Sequence, residues 1–189
     1  MLFNMPNFKI LKIFFFICLS FEGFSQNVFT VKDSSGIEQS LNITTFNKAR
    51  VYLFLSPECP LCQNYTLVLN NLYTKYKVLG VEMIGIVSSK SFNIIDVKEF
   101  TKKYNIHFPL LLNNNLLAKY FDASITPEAI VTDSLGNKIY QGRIDNWAYD
   151  IGKKRKKATV FDLNDALDFF IKNQKRPFYR TKAIGCFIE

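Results

Sequence analysis

One histidine, one tryptophan and four cysteines stand in a chain of 189 residues. A single imidazole excludes a zinc site built from several histidines. Glycine and proline are sparse, eight and six, which excludes collagen-like and low-complexity chains. No segment repeats with a period of about 20–50 residues, so a solenoid is excluded as well. No apolar run reaches the roughly 20 residues that span a bilayer comfortably. Acidic residues are outnumbered, 16 against 24 basic, giving a net charge of +8. The positive charges are mostly scattered and no nucleic-acid-binding motif accompanies them, so nucleic acid is not an expected partner. What is abundant is core-forming material: 48% of the chain is hydrophobic, with 19 Phe and nine Tyr. That suits one globular domain, alone or with a removable segment.

Residues 1–25 read as the removable segment. Lys9 and Lys12 precede the apolar run Ile13-Phe14-Phe15-Phe16-Ile17-Cys18-Leu19, and Gly23-Phe24-Ser25 follows. This is the order of a secretory signal peptide, so the protein is expected to be secreted or periplasmic. Membrane contact is expected only if that segment stays uncleaved. Cys18 reads as one more apolar residue of the run. Its removal leaves Cys59, Cys62 and Cys186, an odd thiol count in an oxidising compartment.

Residues 26–175 read as the domain, and 176–189 as an extended tail carrying Cys186. Phe29-Thr30-Val31-Lys32 alternates like a strand and Ser34-Ser35-Gly36 turns it. The continuous apolar run 51–55 suits a strand buried on both faces, and Leu61, Tyr65, Val68, Leu69, Leu72 and Tyr76 then recur at helical spacing. A strand over 81–87, a helix over 91–104, a strand over 108–112 and a short helix over 115–121 follow. Strands 128–133 and 138–143 form a hairpin about residues 134–137. A last helix carries Leu163, Ala166, Leu167, Phe170 and Ile171, with Asp162 as its expected N-cap. Strands alternating with helices predict an α/β fold, a central mixed sheet flanked by helices on both faces.

Between the first buried strand and its helix lies Ser56-Pro57-Glu58-Cys59-Pro60-Leu61-Cys62. A C-x-x-C in that position is a redox arrangement. Cys59 falls at the helix N-terminus, where unpaired N–H groups and the dipole favour a thiolate. Pro60 falls at the first helical position, where its missing N–H costs nothing. A lowered pKa makes Cys59 both the attacking sulfur and a good leaving group. Cys62, one turn further, is expected to be more buried and to resolve the mixed disulfide.

Cys59-Pro60-Leu61-Cys62 after strand 51–55, with Ile125-Thr126-Pro127 before strand 128–133, resembles the thioredoxin-like superfamily over residues 28–174. Export and the early strand extension resemble its redoxin or TlpA-type thiol–disulfide oxidoreductases. The resemblance implies a thioredoxin-like fold and a cis Pro127 facing the cysteines. It also implies that Thr126 offers backbone groups to an extended substrate. The implied partners are protein thiols and disulfides together with an upstream redox partner. No organic cofactor or metal is implied, since the Cys59–Cys62 pair is itself the redox group. Glu58 stands where thioredoxin commonly has Trp, and no acid on strand 51–55 matches the one thioredoxin buries beneath its second cysteine. The segment from Tyr140 to Asp145 and the Gly185-Cys186 tail resemble a subgroup of exported redoxin-domain proteins.

Two other functions use the same residues. Soft thiolates at Cys59 and Cys62, joined by Cys186, suit a copper(I) chaperone, although related carriers resemble C-x-x-x-C plus histidine. A thiol peroxidase of peroxiredoxin type is less expected, because Tyr52 and Ser56 occupy the Pro and Thr positions of its Pro-x-x-x-Thr-x-x-Cys motif. Cys186 reads as a candidate third redox thiol, a free thiol or an intermolecular bridge, with Gly185 allowing close backbone approach. His107 and the run from Lys153 to Lys157 read as surface features, and Arg143 is expected to pair with Asp145.

Overall fold

The computed structural model describes residues 27–44, 46–174 and 177–189. The signal segment expected over 1–25 lies outside them. None of the described helices is long and apolar enough to cross a membrane.

The run expected to be buried on both faces becomes β3 (Ala49–Leu55), every residue of it buried. It pairs in parallel with β4 (Val81–Ser88), which pairs in parallel with β5 (Leu110–Asn113). The connections are α1 (Pro60–Lys77) and α2 (Ile94–Lys103). Both crossovers step the same way along the sheet, so a common hand puts both helices on one face. There Tyr65, Leu69 and Tyr76 of α1 and Val97 and Phe100 of α2 pack on Val51, Leu53 and Leu55. The chain then returns through α3 (Leu116–Phe121) across the opposite face, where Leu117 and Phe121 cover Tyr52, Phe54 and Ile86. It re-enters beyond β3 through β6 (Ile125–Thr126), β7 (Glu128–Asp133) and β8 (Lys138–Gly142), with β7 antiparallel to β3.

At the far edge, β1 (Val28–Lys32) and β2 (Glu38–Asn42) add a hairpin. A small hairpin, β9 (Ala148–Asp150) and β10 (Lys153–Lys154), precedes α4 (Asp162–Ile171). Two short strands follow, β11 (Tyr179–Arg180) and β12 (Cys186–Phe187). Among the described residues, the main sheet has eight strands in the order β11-β8-β7-β3-β4-β5-β1-β2. This mixed sheet with helices on both faces is the expected thioredoxin-like arrangement.

Three local expectations change. The second helix starts at Ile94, because the Asn93 side chain accepts from the Ile95 and Asp96 N–H groups while Asp96 accepts from Asn93 in return. Asp162 is the first residue of α4 rather than its cap: Leu163 N–H donates to Ile144 O at 3.1 Å instead. This leaves the Asp162 carboxylate free to take Arg143, whose Nε lies 2.7 Å away, so Arg143 does not pair with Asp145. His107 and residues 153–157 are exposed, as expected.

Gly85 on β4 marks where packing is tightest. A Cβ there would sit 2.8 Å from Leu110 Cδ1 and 3.0 Å from Phe108 Cε2. Gly85→Ala is therefore expected to cost about 1–3 kcal/mol by overpacking, read as a lower urea midpoint at unchanged slope.

Candidate functional site

The site forms where β3 ends and α1 begins. Cys59 is the N-cap of α1, with extended backbone and no side-chain cap bond, and Pro60 follows it. The first turn carries no acidic side chain, so nothing there competes for the N–H groups and the positive end of the dipole. Gln63 Nε2 donates to Pro57 O at 2.7 Å and ties the loop to the helix. Both cysteines are buried, Cys59 at 1% exposure and Cys62 at 0%.

Their environments push the two thiols apart. Hydrogen bonding from the Cys62 thiol, helped by the Cys62 backbone and by Cys186, outweighs burial and holds Cys59 down at about 5. Burial pushes Cys62 well above the ordinary thiol value, and the neighbouring Cys59 adds to this. One sulfur is thus prepared as a thiolate and the other kept as a thiol, the division a nucleophile and a resolving group require.

Thr126 and Pro127 face this pair. The peptide bond between them is cis. In its protonated form Cys59 donates to Thr126 O at 3.2 Å, while Ser56 N–H donates to Cys62 Sγ at 3.4 Å. Cys186 arrives from the tail: β12 pairs antiparallel with β6, Cys186 opposite Thr126 and Phe187 opposite Ile125. All five candidate residues, Cys59, Cys62, Thr126, Pro127 and Cys186, are therefore brought together. Among the described residues, no group of three or more His, Cys, Asp or Glu is arranged to hold a metal ion, so the copper reading gains no support from the geometry.

Two clefts flank Cys186. One, of about 320 Å³, is polar and includes Glu58, Ser88, Ser89, Ser91 and Asp96 with Cys59 at its wall. The other, of about 300 Å³, is formed by Pro60, Leu61, Trp147 and Ile151 with Lys153 and Lys154. Sequence reasoning missed the Trp147 wall. Its support is a buried network: Tyr65 O–H donates to Asp145 Oδ1 at 2.6 Å, and Trp147 N–H donates to the same oxygen at 2.8 Å. The Trp147 ring meets Tyr65 edge-on at 5.5 Å. A solitary tryptophan two residues after an aspartate was the available signal.

Comparison with known proteins gives the family and the fold. Residues 26–140 match the model of the AhpC/TSA family. The chain is 27% identical over 133 residues to the thiol-disulfide oxidoreductase ResA of Bacillus cereus, covering 69% of this chain and 75% of that protein. It is 34% identical over 83 residues to the chloroplastic peroxiredoxin Q of Sedum lineare, covering 44% of this chain and 43% of the relative. A crystal structure of a hypothetical protein from Sinorhizobium meliloti shares the fold, with a TM-score of 0.72 at 24% identity over 85% of this chain and 90% of that one. With more than half its length matched by the family model, the chain belongs to the AhpC/TSA family.

Proposed function

We propose that the protein is an exported thiol–disulfide oxidoreductase working through Cys59-Pro60-Leu61-Cys62. The observation that carries this reading is the placement of two buried thiols one helical turn apart at the start of α1, with Cys59 as the N-cap and within hydrogen-bond reach of Thr126 O beside the cis Thr126–Pro127 bond. The Cys59 thiolate attacks a substrate disulfide, forming a mixed disulfide and releasing one substrate thiolate. Cys62 then attacks Cys59 Sγ, closes the Cys59–Cys62 disulfide and releases the second substrate thiol. Run backwards, the same steps donate a disulfide. The edge at Thr126-Pro127 receives an extended protein substrate, and a separate redox partner resets the pair. The similarity to ResA supports the reaction class, and the n-, h- and c-region order of residues 1–25 supports export.

The similarity to peroxiredoxin Q gives a second reading, peroxide reduction at Cys59. Tyr52 in place of the motif's Pro argues against it, although Ser56 keeps the hydroxyl of the motif's Thr beside the reacting sulfur. The deciding experiment compares disulfide exchange with protein and small disulfides against peroxide consumption with a thiol donor. Exchange is expected in the intact protein and background only in Cys59→Ser. Peroxide turnover without disulfide exchange would replace the first reading with the second.

A further inference from the structure

The edge of β6 is where an extended polypeptide would pair beside Cys59, and in this chain it is already taken. β12 lies on it as an antiparallel partner. Ile188 N–H donates to Ser124 O at 2.9 Å and Thr126 Oγ1 donates to Cys186 O at 3.4 Å. Beyond the strand, Glu189 accepts from Ser91 Oγ at 3.1 Å and from Asn115 Nδ2. The approach is so close that a Cβ on Gly185 would fall 1.9 Å from Thr126 O and 2.7 Å from its carbon. Only glycine fits there while the strand is docked. The thiol this strand carries shares a cleft with Cys59, on the residue paired opposite Thr126. Cys59 is 1% exposed, whereas Cys186 is exposed.

We propose that the C-terminal segment is a tethered stand-in for the substrate, holding the polypeptide edge of β6 and supplying Cys186 as a second resolving thiol for Cys59. This rests on the oxidoreductase reading and deepens it. The Cys59 thiolate attacks a small disulfide, such as oxidised glutathione, forming a Cys59–glutathione disulfide and expelling one glutathione thiolate. Cys186 gives up its proton to that thiolate and attacks Cys59 Sγ. The Cys59–Cys186 bond forms, the bond to glutathione breaks, and the second glutathione leaves. Cys62 then attacks Cys59 Sγ and returns Cys186 as a thiol. Two electrons in all pass from the protein to the glutathione disulfide. In the resting protein the Cys186 thiol is pushed up to about 11 by burial and by the adjacent Cys59. The second of these influences disappears once Cys59 is bound in a mixed disulfide, so Cys186 becomes easier to ionise when it is needed.

A polypeptide client must displace β12 and pair with β6 in its place. In the same register, the residue before its reacting cysteine meets Thr126 O as Gly185 does.

The test uses the full chain in a Cys62→Ser background, reduced and then given one equivalent of oxidised glutathione, with disulfides mapped by mass. The expected product is Cys59–Cys186 with both glutathiones released. Adding Cys186→Ala or, separately, Gly185→Val is expected to leave glutathione on Cys59. Cys186→Ala keeps the test valid if the valine variant does not fold. A stable Cys59–glutathione adduct beside a free Cys186 overturns the inference and leaves the oxidoreductase reading standing. No reaction at Cys59 in any variant overturns both.

Discussion

The reduction potential of the Cys59–Cys62 couple is expected to fall by about 30 mV per pH unit above pH 5, and by about 60 mV per unit below it. For a two-electron couple, each tenfold change is worth about 30 mV. Reduction to two protonated thiols takes up two protons, and reduction to one thiolate and one thiol takes up one. Cys59 at about 5 and Cys62 far above put neutral pH in the one-proton regime. The sign follows from the lowered pKa: ionisation stabilises the reduced form, the gain appears above pH 5, and it is lost as pH falls through 5. At pH 7 the reduced form gains roughly 3 kcal/mol over one with an ordinary thiol at Cys59, which raises the potential by about 60 mV. The couple is thus more oxidising than the same pair with an ordinary thiol at Cys59. Attack itself gains little. About a hundredfold more thiolate at pH 7 is offset by a similar loss of nucleophilicity over four pKa units. The low pKa chiefly makes Cys59 a good leaving group. Equilibration in glutathione buffers across pH 5 gives the slope directly, and a slope near 60 mV on both sides would make Cys59 an ordinary thiol.

Phe121→Ala is expected to cost about 3–5 kcal/mol, a large share of the roughly 5–15 kcal/mol that holds a typical domain together. Phe121 is 1% exposed. Its ring lies 4.4 Å from Tyr52, 6.3 Å from Phe54 and 4.9 Å from Tyr120. Truncation would open a cavity where α3 crosses β3, with no flexible side chain among these rings to fill it. The loss should also reach the site, because only three residues separate Phe121 from β6, whose edge carries the tail. The expected result is a lower urea midpoint together with faster alkylation of Cys59. Normal stability with unchanged reactivity would mean that the cluster rearranges to fill the space.

The parts of this molecule legible in the sequence were those set by neighbours along the chain. The apolar run of β3, the helical spacing of α1 and the cysteines at their junction are local signals, and each falls where the pattern placed it. Asp162 shows the limit of such reading. It sits where a capping residue belongs, but Ile144 O takes the N–H that a cap would satisfy, and Arg143 claims the carboxylate. The partner of Arg143 was misread for the same reason: Asp145 is nearer in sequence, but Tyr65, 80 residues away, holds it. Docking of β12 on β6 joins residues 60 apart through a two-residue ladder that has no periodicity to detect. Gly185 hinted at a close approach, without naming what it approaches.

The pairing of β11 with β8 has a consequence for solubility. An open sheet presents unpaired N–H and C=O groups along each outer strand, a template on which another chain can grow. Here the segment that leads to Cys186 first runs beside β8, with Tyr179 opposite Tyr140 and Arg180 opposite Gln141. Arg180 then fixes it by reaching Asp122 Oδ2 at 3.2 Å. The opposite border is β2, whose Glu38, Gln39 and Ser40 are exposed and polar. Each border is thus blunted by a different means, one by polar side chains and the other by a short strand of the chain itself. A variant that frees the tail would expose an adhesive border as well as a sulfur, and self-association would accompany the change in reactivity.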